Sequence, residues 1–219
     1  MNAPLIPPVP RSRMHARALE LLPQLHPEDQ RKFLKKFKTE SPLQAAHSTR
    51  ELLVGIFLKE NGLTPRHEIQ LEGKSPDWTA YDNDNNLVAI FDQLTLHQVR
   101  ELDDEINASL RASQGWVGWM PDSTERLYAK TLDKASKYAD LAASLSTPYV
   151  VSVFFDVNVA IDSHEVTEAL EKAHGGGVFA ACPHLSGVLV SSERWGKYAF
   201  QYLPNLRTER PFSLRNLEV

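Results

Sequence analysis

The stretch KSPDWTAYDNDNNLVAIFDQLTL, residues 74–96, predicts two short β-strands joined by a polar turn. The turn, DNDNN at residues 82–86, is rich in residue types that tolerate a left-handed backbone. Residues 87–91, LVAIF, form an unbroken apolar run that is typical of a strand buried on both faces. One aspartate stands at each outer end of this hairpin: Asp77 starts the first strand and Asp92 follows the apolar run of the second.

The position of Asp92 predicts a special environment for its side chain. A carboxylate at the end of a buried strand is unfavourable unless it is ion-paired, hydrogen-bonded or bound to a metal. If the two strands pair, Asp77 and Asp92 come together across the hairpin. They would then offer hard oxygen ligands to a divalent cation. The stretch therefore predicts an acidic pair that is a candidate cation site.

Pro76-Asp77, followed by Asp92 at the end of an apolar strand, resembles the PD-(D/E)XK nuclease superfamily. The resemblance extends over roughly residues 42–204 as an order of elements. It implies an α/β fold with a restriction-endonuclease-like core, in which helices flank a central mixed sheet. It also implies that Asp77 and Asp92 are metal ligands, and that a glutamate on the helix before the first strand completes the set. Glu51 is the matching position, and the alternative for Glu51 is an exposed helix glutamate.

The lysine that this family places two residues after the second acidic residue is absent, because Leu94 occupies its position. Leu94 shares the strand face of Asp92 by the two-residue period of a strand. In some branches of the superfamily the catalytic lysine has moved onto the next core helix. The resemblance therefore implies Lys134 as the replacement, with Lys137 next and Lys74 beside the motif as a further source. The alternative is that these lysines are only the solvated edge of a helix.

Charge is unevenly distributed along the 219 residues, whose net charge is −4. Residues 1–50 carry a net charge of +5 and the remainder carries −9. We divide the chain accordingly into a basic N-terminal helical arm, residues 1–41, and a nuclease-like α/β core, residues 42–219. Contact with nucleic acid through the arm is one interpretation, and docking of the arm on the acidic body is the other. The basic cluster of the arm comprises Arg31, Lys32, Lys35, Lys36 and Lys38.

The overall composition is that of a soluble globular protein. Hydrophobic residues make up 42% of the chain and charged residues 24%. A single cysteine, Cys182, excludes an internal disulfide and argues against a cysteine-based zinc site. The sequence contains no apolar stretch long enough to span a membrane and no apolar segment typical of a signal peptide. We therefore expect a cytoplasmic protein without membrane contact.

Two functions remain open from these observations. The first is metal-dependent hydrolysis of phosphodiester bonds in nucleic acid, with Mg²⁺ or Mn²⁺ held by Glu51, Asp77 and Asp92 and with Lys134 as the stabilising charge. The second is a catalytically inactive nuclease-like fold that binds nucleic acid or protein, which the missing lysine and the acidic body favour. If Asp77 and Asp92 were far apart, only an α/β domain of unrelated function would be left.

Overall fold

The computed structural model describes residues 13–156, 158–194 and 197–219. Residues 1–12 of the predicted arm lie outside this description. The described chain begins with three helices: α1 (Arg13–Leu21), α2 (Pro27–Thr39) and α3 (Pro42–Glu60). Helix α3 starts at a capping box, in which Ser41 and Gln44 exchange side-chain to backbone hydrogen bonds. It ends before Gly62, whose positive φ of 82° suits a glycine after a helix.

The strands of the described residues form one seven-stranded sheet in sequence order. They are β1 (Thr64–His67), β2 (Trp78–Tyr81), β3 (Leu87–Leu96), β4 (Tyr149–Phe155), β5 (Leu185–Arg194), β6 (Lys197–Pro204) and β7 (Leu217–Glu218). The pairs β3–β4 and β4–β5 are parallel, and the other neighbours are antiparallel. The sheet is therefore mixed, with its parallel strands at the centre.

Further helices connect the central strands and cover the sheet. They are α4 (Arg100–Arg111), α5 (Thr124–Lys137), α6 (Ala139–Ser144), α7 (Ser163–Thr167), a π-helical turn (Glu168–Lys172) and α8 (Ala173–Ala181). Parallel strands need such crossover connections. The prediction of an α/β chain with a mixed sheet flanked by helices is confirmed. Its assignment to the restriction-endonuclease-like fold in particular stays a prediction.

The hairpin of β2 and β3 forms as the sequence predicts. The two strands are antiparallel, with Trp78 opposite Phe91. The turn is held by Asp82, whose Oδ1 accepts hydrogen bonds from the backbone N–H groups of Asp84 and Asn86. Asn85 adopts the left-handed conformation with a φ of 63°. The turn residues thus fix the register that brings the two ends of the hairpin together.

The sheet has two buried faces, and successive residues of a strand point to opposite ones. One face packs against α1, α2 and α3 through a cluster that includes Phe33, Phe57, Trp78 and Phe91. The opposite face packs against α5 and α8 through Leu127, Val178, Ile90 and Tyr149. Leu94 also packs against this second cluster, as the two-residue period predicts. Asp92 lies between Ile90 and Leu94 in β3 and therefore faces α5.

The N-terminal helices pack on the rest of the chain. Phe33 and Phe37 of α2 are fully buried in the cluster that α3 shares with the sheet. The Lys32 ammonium donates a hydrogen bond of 2.5 Å to the carbonyl oxygen of His67. The described part of the arm thus docks on the body, one of the two interpretations that its charge left open. Contact with nucleic acid and a domain boundary at residue 41 stay predictions.

None of the described helices is both long enough and apolar enough to cross a membrane.

The contact between Gly55 and Trp78 gives a prediction about stability. A Cβ at Gly55 would lie 2.4 Å from two ring carbons of Trp78, which is fully buried. The indole is also tied to α3, because its Nε1 donates to the carbonyl oxygen of Glu51 at 2.8 Å. We expect Gly55→Ala to lower the free energy of unfolding by about 1–3 kcal/mol in urea denaturation. Helix propensity alone predicts the opposite sign, a gain of about 1 kcal/mol.

Gly115→Ala is the matched control, since nothing lies within 4 Å of the added Cβ. We expect this variant to unfold within about 0.5 kcal/mol of the wild type. A Gly55→Ala variant as stable as the wild type would show that Trp78 can move aside, contrary to the packing described.

Candidate functional site

The register of the hairpin places Asp77 beside Asp92. Asp77 directly precedes Trp78, and Asp92 directly follows Phe91, the residue opposite Trp78. Because the strands are antiparallel, the two aspartates lie next to each other on neighbouring strands. The backbone N–H of Gln93 donates a hydrogen bond of 2.6 Å to Oδ2 of Asp77. Parallel pairing with β4 sets Asp92 opposite Val151 on its other side. The predicted convergence of the two carboxyl groups is therefore present at the centre of the sheet.

Helix α5 supplies the positive charge for this pair. The ammonium of Lys134 lies 2.9 Å from Oδ2 of Asp92, and that of Lys137 lies 3.8 Å from the same atom. The side chain of Asp92 has no solvent-exposed surface, whereas that of Lys134 is 22% exposed. The carboxylate of Asp92 is thus buried, and the ammonium of Lys134 is the nearer of the two positive charges that compensate it. Lys134, which the resemblance implied as the replacement for the missing lysine, thus contacts the acidic pair, and its catalytic role stays a prediction.

The pKa of Asp77 is raised to about 8. Burial is the largest cause, and the negative charge of Asp92 and a hydrogen bond to Asp92 add to it. Glu51 contributes further repulsion, while the hydrogen bond from the Gln93 N–H opposes the shift. Near neutral pH Asp77 therefore holds its proton for the most part.

Two tyrosines fix the end of α5 against the hairpin. The Tyr138 hydroxyl donates to the carbonyl oxygen of Ser75 at 2.9 Å. The Tyr149 hydroxyl donates to the carbonyl oxygen of Lys134 at 3.0 Å. Burial, and then the negative charges of Asp92 and Asp77, raise the pKa of Tyr138 to about 12, so this hydroxyl remains protonated. These bonds position the backbone from which Lys134 reaches Asp92.

Lys74 lies at the rim of the same site. Its ammonium donates to the carbonyl oxygen of Lys137 at 2.7 Å, at the last residue of α5. The ammonium groups of Lys74 and Lys137 lie over the Tyr138 ring, 5.8 and 4.8 Å from its centroid. Of the three lysines that the sequence singled out, Lys134 contacts the acidic pair directly. Lys137 flanks it, and Lys74 holds the end of the helix.

Glu51 contacts His67 and Lys36 rather than the two aspartates with which the resemblance groups it. Glu51 lies on α3, which packs on the sheet face opposite to α5. Its Oε1 lies 2.9 Å from Nε2 of His67, and its Oε2 accepts a hydrogen bond of 3.1 Å from Lys36. Burial alone would raise the pKa of Glu51, but the hydrogen bond from His67 and the Lys36 charge lower it. The effect of Glu51 on Asp77 is electrostatic: its negative charge adds to the rise in the pKa of Asp77.

The described residues contain a second cluster of ligand-type side chains that sequence reasoning missed. Glu51, His67 and Glu68 each place one ligand atom within 4.8 Å of the others, a spacing that Glu51, Asp77 and Asp92 do not meet. His67 ends β1, and Glu68 follows it with a positive φ of 49°. The sequence signal was present as a histidine-glutamate pair at a strand end, but its partner on α3 could not be inferred from spacing.

Comparisons with known proteins yield little. No family model matches the chain, and no curated protein matches it. A solved structure of SfsA from Pyrococcus furiosus in complex with Ca²⁺ aligns at 10% identity with a TM-score of 0.33. The alignment covers 72% of this chain and 62% of the SfsA chain. A likeness at this TM-score assigns neither a fold nor a function.

The raised pKa of Asp77 predicts how Asp77→Asn changes stability with pH. A carboxyl group with a raised pKa in the folded state stabilises the protein fully at low pH, and this stabilisation is lost as pH rises from about 4 towards 8. The amide of asparagine cannot ionise, and it retains an oxygen for the Gln93 N–H. In the presence of a chelator we expect Asp77→Asn to match the wild type near pH 5. At pH 8 it should be more stable by at least about 1 kcal/mol, or about 2–4 °C in Tm.

Asp133→Asn, at an exposed position of α5, controls for the general effect of removing a negative charge. The difference in Tm between Asp133→Asn and the wild type should be the same at pH 5 and at pH 8. A Tm difference for Asp77→Asn that stays constant over this range would contradict the buried acidic pair.

Proposed function

We propose that this protein is a metal-dependent phosphodiesterase acting on nucleic acid through a divergent PD-(D/E)XK site. The observation that carries the proposal is the ion pair of 2.9 Å between Lys134 and Asp92, beside Asp77. A lysine from α5 thereby stands next to the acidic pair although Leu94 fills the usual lysine position. Two carboxyl groups and one ammonium are the groups that metal-assisted cleavage of a phosphodiester needs.

The acidic pair fits a hard divalent cation. Asp77 and Asp92 both offer carboxylate oxygens, and burial together with their mutual repulsion keeps a proton on Asp77 when no cation is bound. Mg²⁺ is bound through one or two carboxylates and retains several waters, and Mn²⁺ takes similar ligands. When bound, the cation would generate a nucleophilic hydroxide from water and offset the charge that develops on the phosphate. Asp77 and Asp92 are the residues that would hold it.

The lysines supply the remaining electrostatic role. Lys134 neutralises Asp92 in the absence of a cation. With the carboxylates neutralised by a cation, its partly exposed ammonium is free to contact an oxygen of the scissile phosphate. In the hydrolysis, water adds to phosphorus, one P–O ester bond breaks and the leaving oxygen takes up a proton. Lys137 and Lys74 lie at the rim and would attract flanking phosphates towards a body whose net charge is negative.

The basic arm is a further candidate contact for nucleic acid. Its residues divide into two groups in the structure. Lys32 and Lys36 make intramolecular contacts with His67, Glu51 and Glu68. Arg31, Lys35 and Lys38 are exposed and remain available for phosphates.

A nuclease-like fold that binds without cleaving is the second candidate, and a specific contact favours it. The Lys134 ammonium already compensates the buried charge of Asp92, so the fold needs no cation for stability. In that case the rim lysines would bind a phosphate backbone, but the bond would stay intact.

Cleavage assays with single- and double-stranded DNA and RNA distinguish the two candidates. We expect the wild type to cleave nucleic acid only with Mg²⁺ or Mn²⁺, and Asp77→Ala to abolish the cleavage. The metal should also raise the Tm of the wild type, and Asp77→Ala should remove this rise. Lys134→Met should lower the cleavage rate by about 10²–10³-fold, because one charge that stabilises the transition state is lost. Lys134→Arg keeps the positive charge beside Asp92 and serves as the variant that preserves the fold.

Lys130→Met is the matched control, since Lys130 is exposed on the same helix one turn before Lys134. It should cleave at the wild-type rate. Binding of nucleic acid without cleavage in any metal, and without a metal-induced change in Tm, would reject the enzyme in favour of the binding module.

A further inference from the structure

The cluster of Glu51, His67 and Glu68 lies on the face of the sheet opposite to α5, where α2, α3 and β1 meet. The side chain of His67 has no exposed surface, that of Glu51 is 12% exposed and that of Glu68 is 40% exposed. The cluster is therefore closed on the protein side and open to solvent at Glu68. The Asp77–Asp92 pair does not include any of these three residues.

His67 is held in one orientation by its surroundings. Its ring packs between Phe33 and Trp78, with centroid distances of 4.5 and 4.9 Å. Its backbone carbonyl accepts the hydrogen bond from Lys32. The Nε2 atom lies 2.9 Å from the Glu51 carboxylate, which can only accept, so Nε2 carries the hydrogen of this bond. In the neutral ring, Nδ1 then carries the free lone pair.

The Nδ1 atom of His67 has no hydrogen-bond partner although it is buried. It lies 3.6 Å from Oε2 of Glu68, which is too long for a hydrogen bond. Two ligands on one tetrahedral Zn²⁺ are separated by about 3.4 Å, given bonds of about 2.0–2.1 Å. The gap between these two atoms is therefore close to the separation of two ligands on one ion. A carboxylate that orients a metal-binding histidine through its other nitrogen is a common arrangement.

Lys36 places a positive charge in the same cluster. Its ammonium lies 3.1 Å from Oε2 of Glu51 and 3.0 Å from Oε1 of Glu68. It thus bridges the two carboxylates. The side chain is 26% exposed and sits on a long flexible stem, so it can turn outwards into solvent.

We propose that Glu51, His67 and Glu68 form a second cation site, for a transition-metal dication such as Zn²⁺, and that Lys36 neutralises its carboxylates when no ion is bound. The Nδ1 atom of His67 and the Glu68 carboxylate are the direct ligands. Glu51 orients His67 and supplies negative charge, and the Lys36 ammonium leaves when the ion enters. This site does not depend on the proposed phosphodiesterase activity.

The donor set selects a different ion from the one that suits the aspartate pair. Imidazole nitrogen suits Zn²⁺ and other transition metals, whereas sites with only oxygen ligands suit Mg²⁺. Glu68 at the open side leaves room for water to complete the coordination of the ion. The two faces of the sheet would then carry ions of different chemistry.

Calorimetric titration with Zn²⁺ tests the proposal, carried out on the full chain with Asp77→Asn present to disable the aspartate pair. Lys36→Met removes the competing ammonium and leaves all three ligand-type residues in place. We expect it to raise the affinity for Zn²⁺ by about tenfold or more, since the ammonium that competes with the ion for the Glu51 and Glu68 carboxylates is lost. Glu68→Gln should lower the affinity by a comparable factor, and as a partly exposed residue it can be changed without disturbing the core. Lys35→Met, at an exposed position one residue away on α2, should leave the affinity unchanged.

Titration with Co²⁺ reports on the ligands directly. The bound ion should show visible absorption bands typical of nitrogen–oxygen coordination, and Glu68→Gln should remove them. Zn²⁺ binding that Glu68→Gln and Lys36→Met leave unchanged would overturn the proposal. An unchanged result of this kind leaves the phosphodiesterase proposal intact, because Asp77→Asn is present throughout.

Discussion

Two carboxyl groups side by side at the centre of a sheet are the constraint on which the structure depends. Asp92 has no exposed surface, and Asp77 beside it feels both burial and repulsion. Such a pair needs positive charge or a proton. The fold provides this through α5, whose Lys134 contacts Asp92 and whose end is tied to the hairpin by Tyr138 and Lys74.

On both faces of the sheet a lysine from a helix compensates buried or partly buried carboxylates. On one face a lysine from α5 compensates the aspartate pair. On the other, Lys36 from α2 compensates Glu51 and Glu68 around the buried His67. In both places a long, partly exposed lysine side chain contacts the acidic cluster. Such a lysine permits the acidic cluster to exist without an ion, and under the two proposals it would withdraw when one enters.

The central part of the site could be predicted from the sequence because its causes are local. An apolar strand, a turn rich in aspartate and asparagine, and the two-residue period together fix the convergence of Asp77 and Asp92 and the apolar neighbour Leu94. Lys134 was singled out through the resemblance, and its ammonium lies 2.9 Å from Asp92, but its catalytic role stays a prediction. The α/β class and the mixed sheet follow from the alternation of helical and apolar strand segments.

The partners of Glu51 could not be predicted, because they depend on which face of the sheet a helix covers. Its position on α3 matched a family pattern, but α3 packs against the face that carries Trp78 and His67. Helical periodicity gives the buried side of α3 and does not say which side chains lie opposite. The contacts of the basic cluster in the arm could not be predicted for the same reason. Its charge pattern alone does not say whether a lysine faces solvent or, like Lys36, contacts Glu51 and Glu68.

Anomalous X-ray diffraction from crystals grown with Mn²⁺ near pH 7.5 tests the central claim most directly. The account predicts a peak about 2 Å from one carboxylate oxygen each of Asp77 and Asp92. It also predicts that the Lys134 ammonium has left its position 2.9 Å from Asp92. The account would be contradicted if crystals at saturating Mn²⁺ showed no anomalous peak at this pair and Lys134 still formed its ion pair with Asp92. The acidic pair would then be a structural feature of the core rather than a cation site.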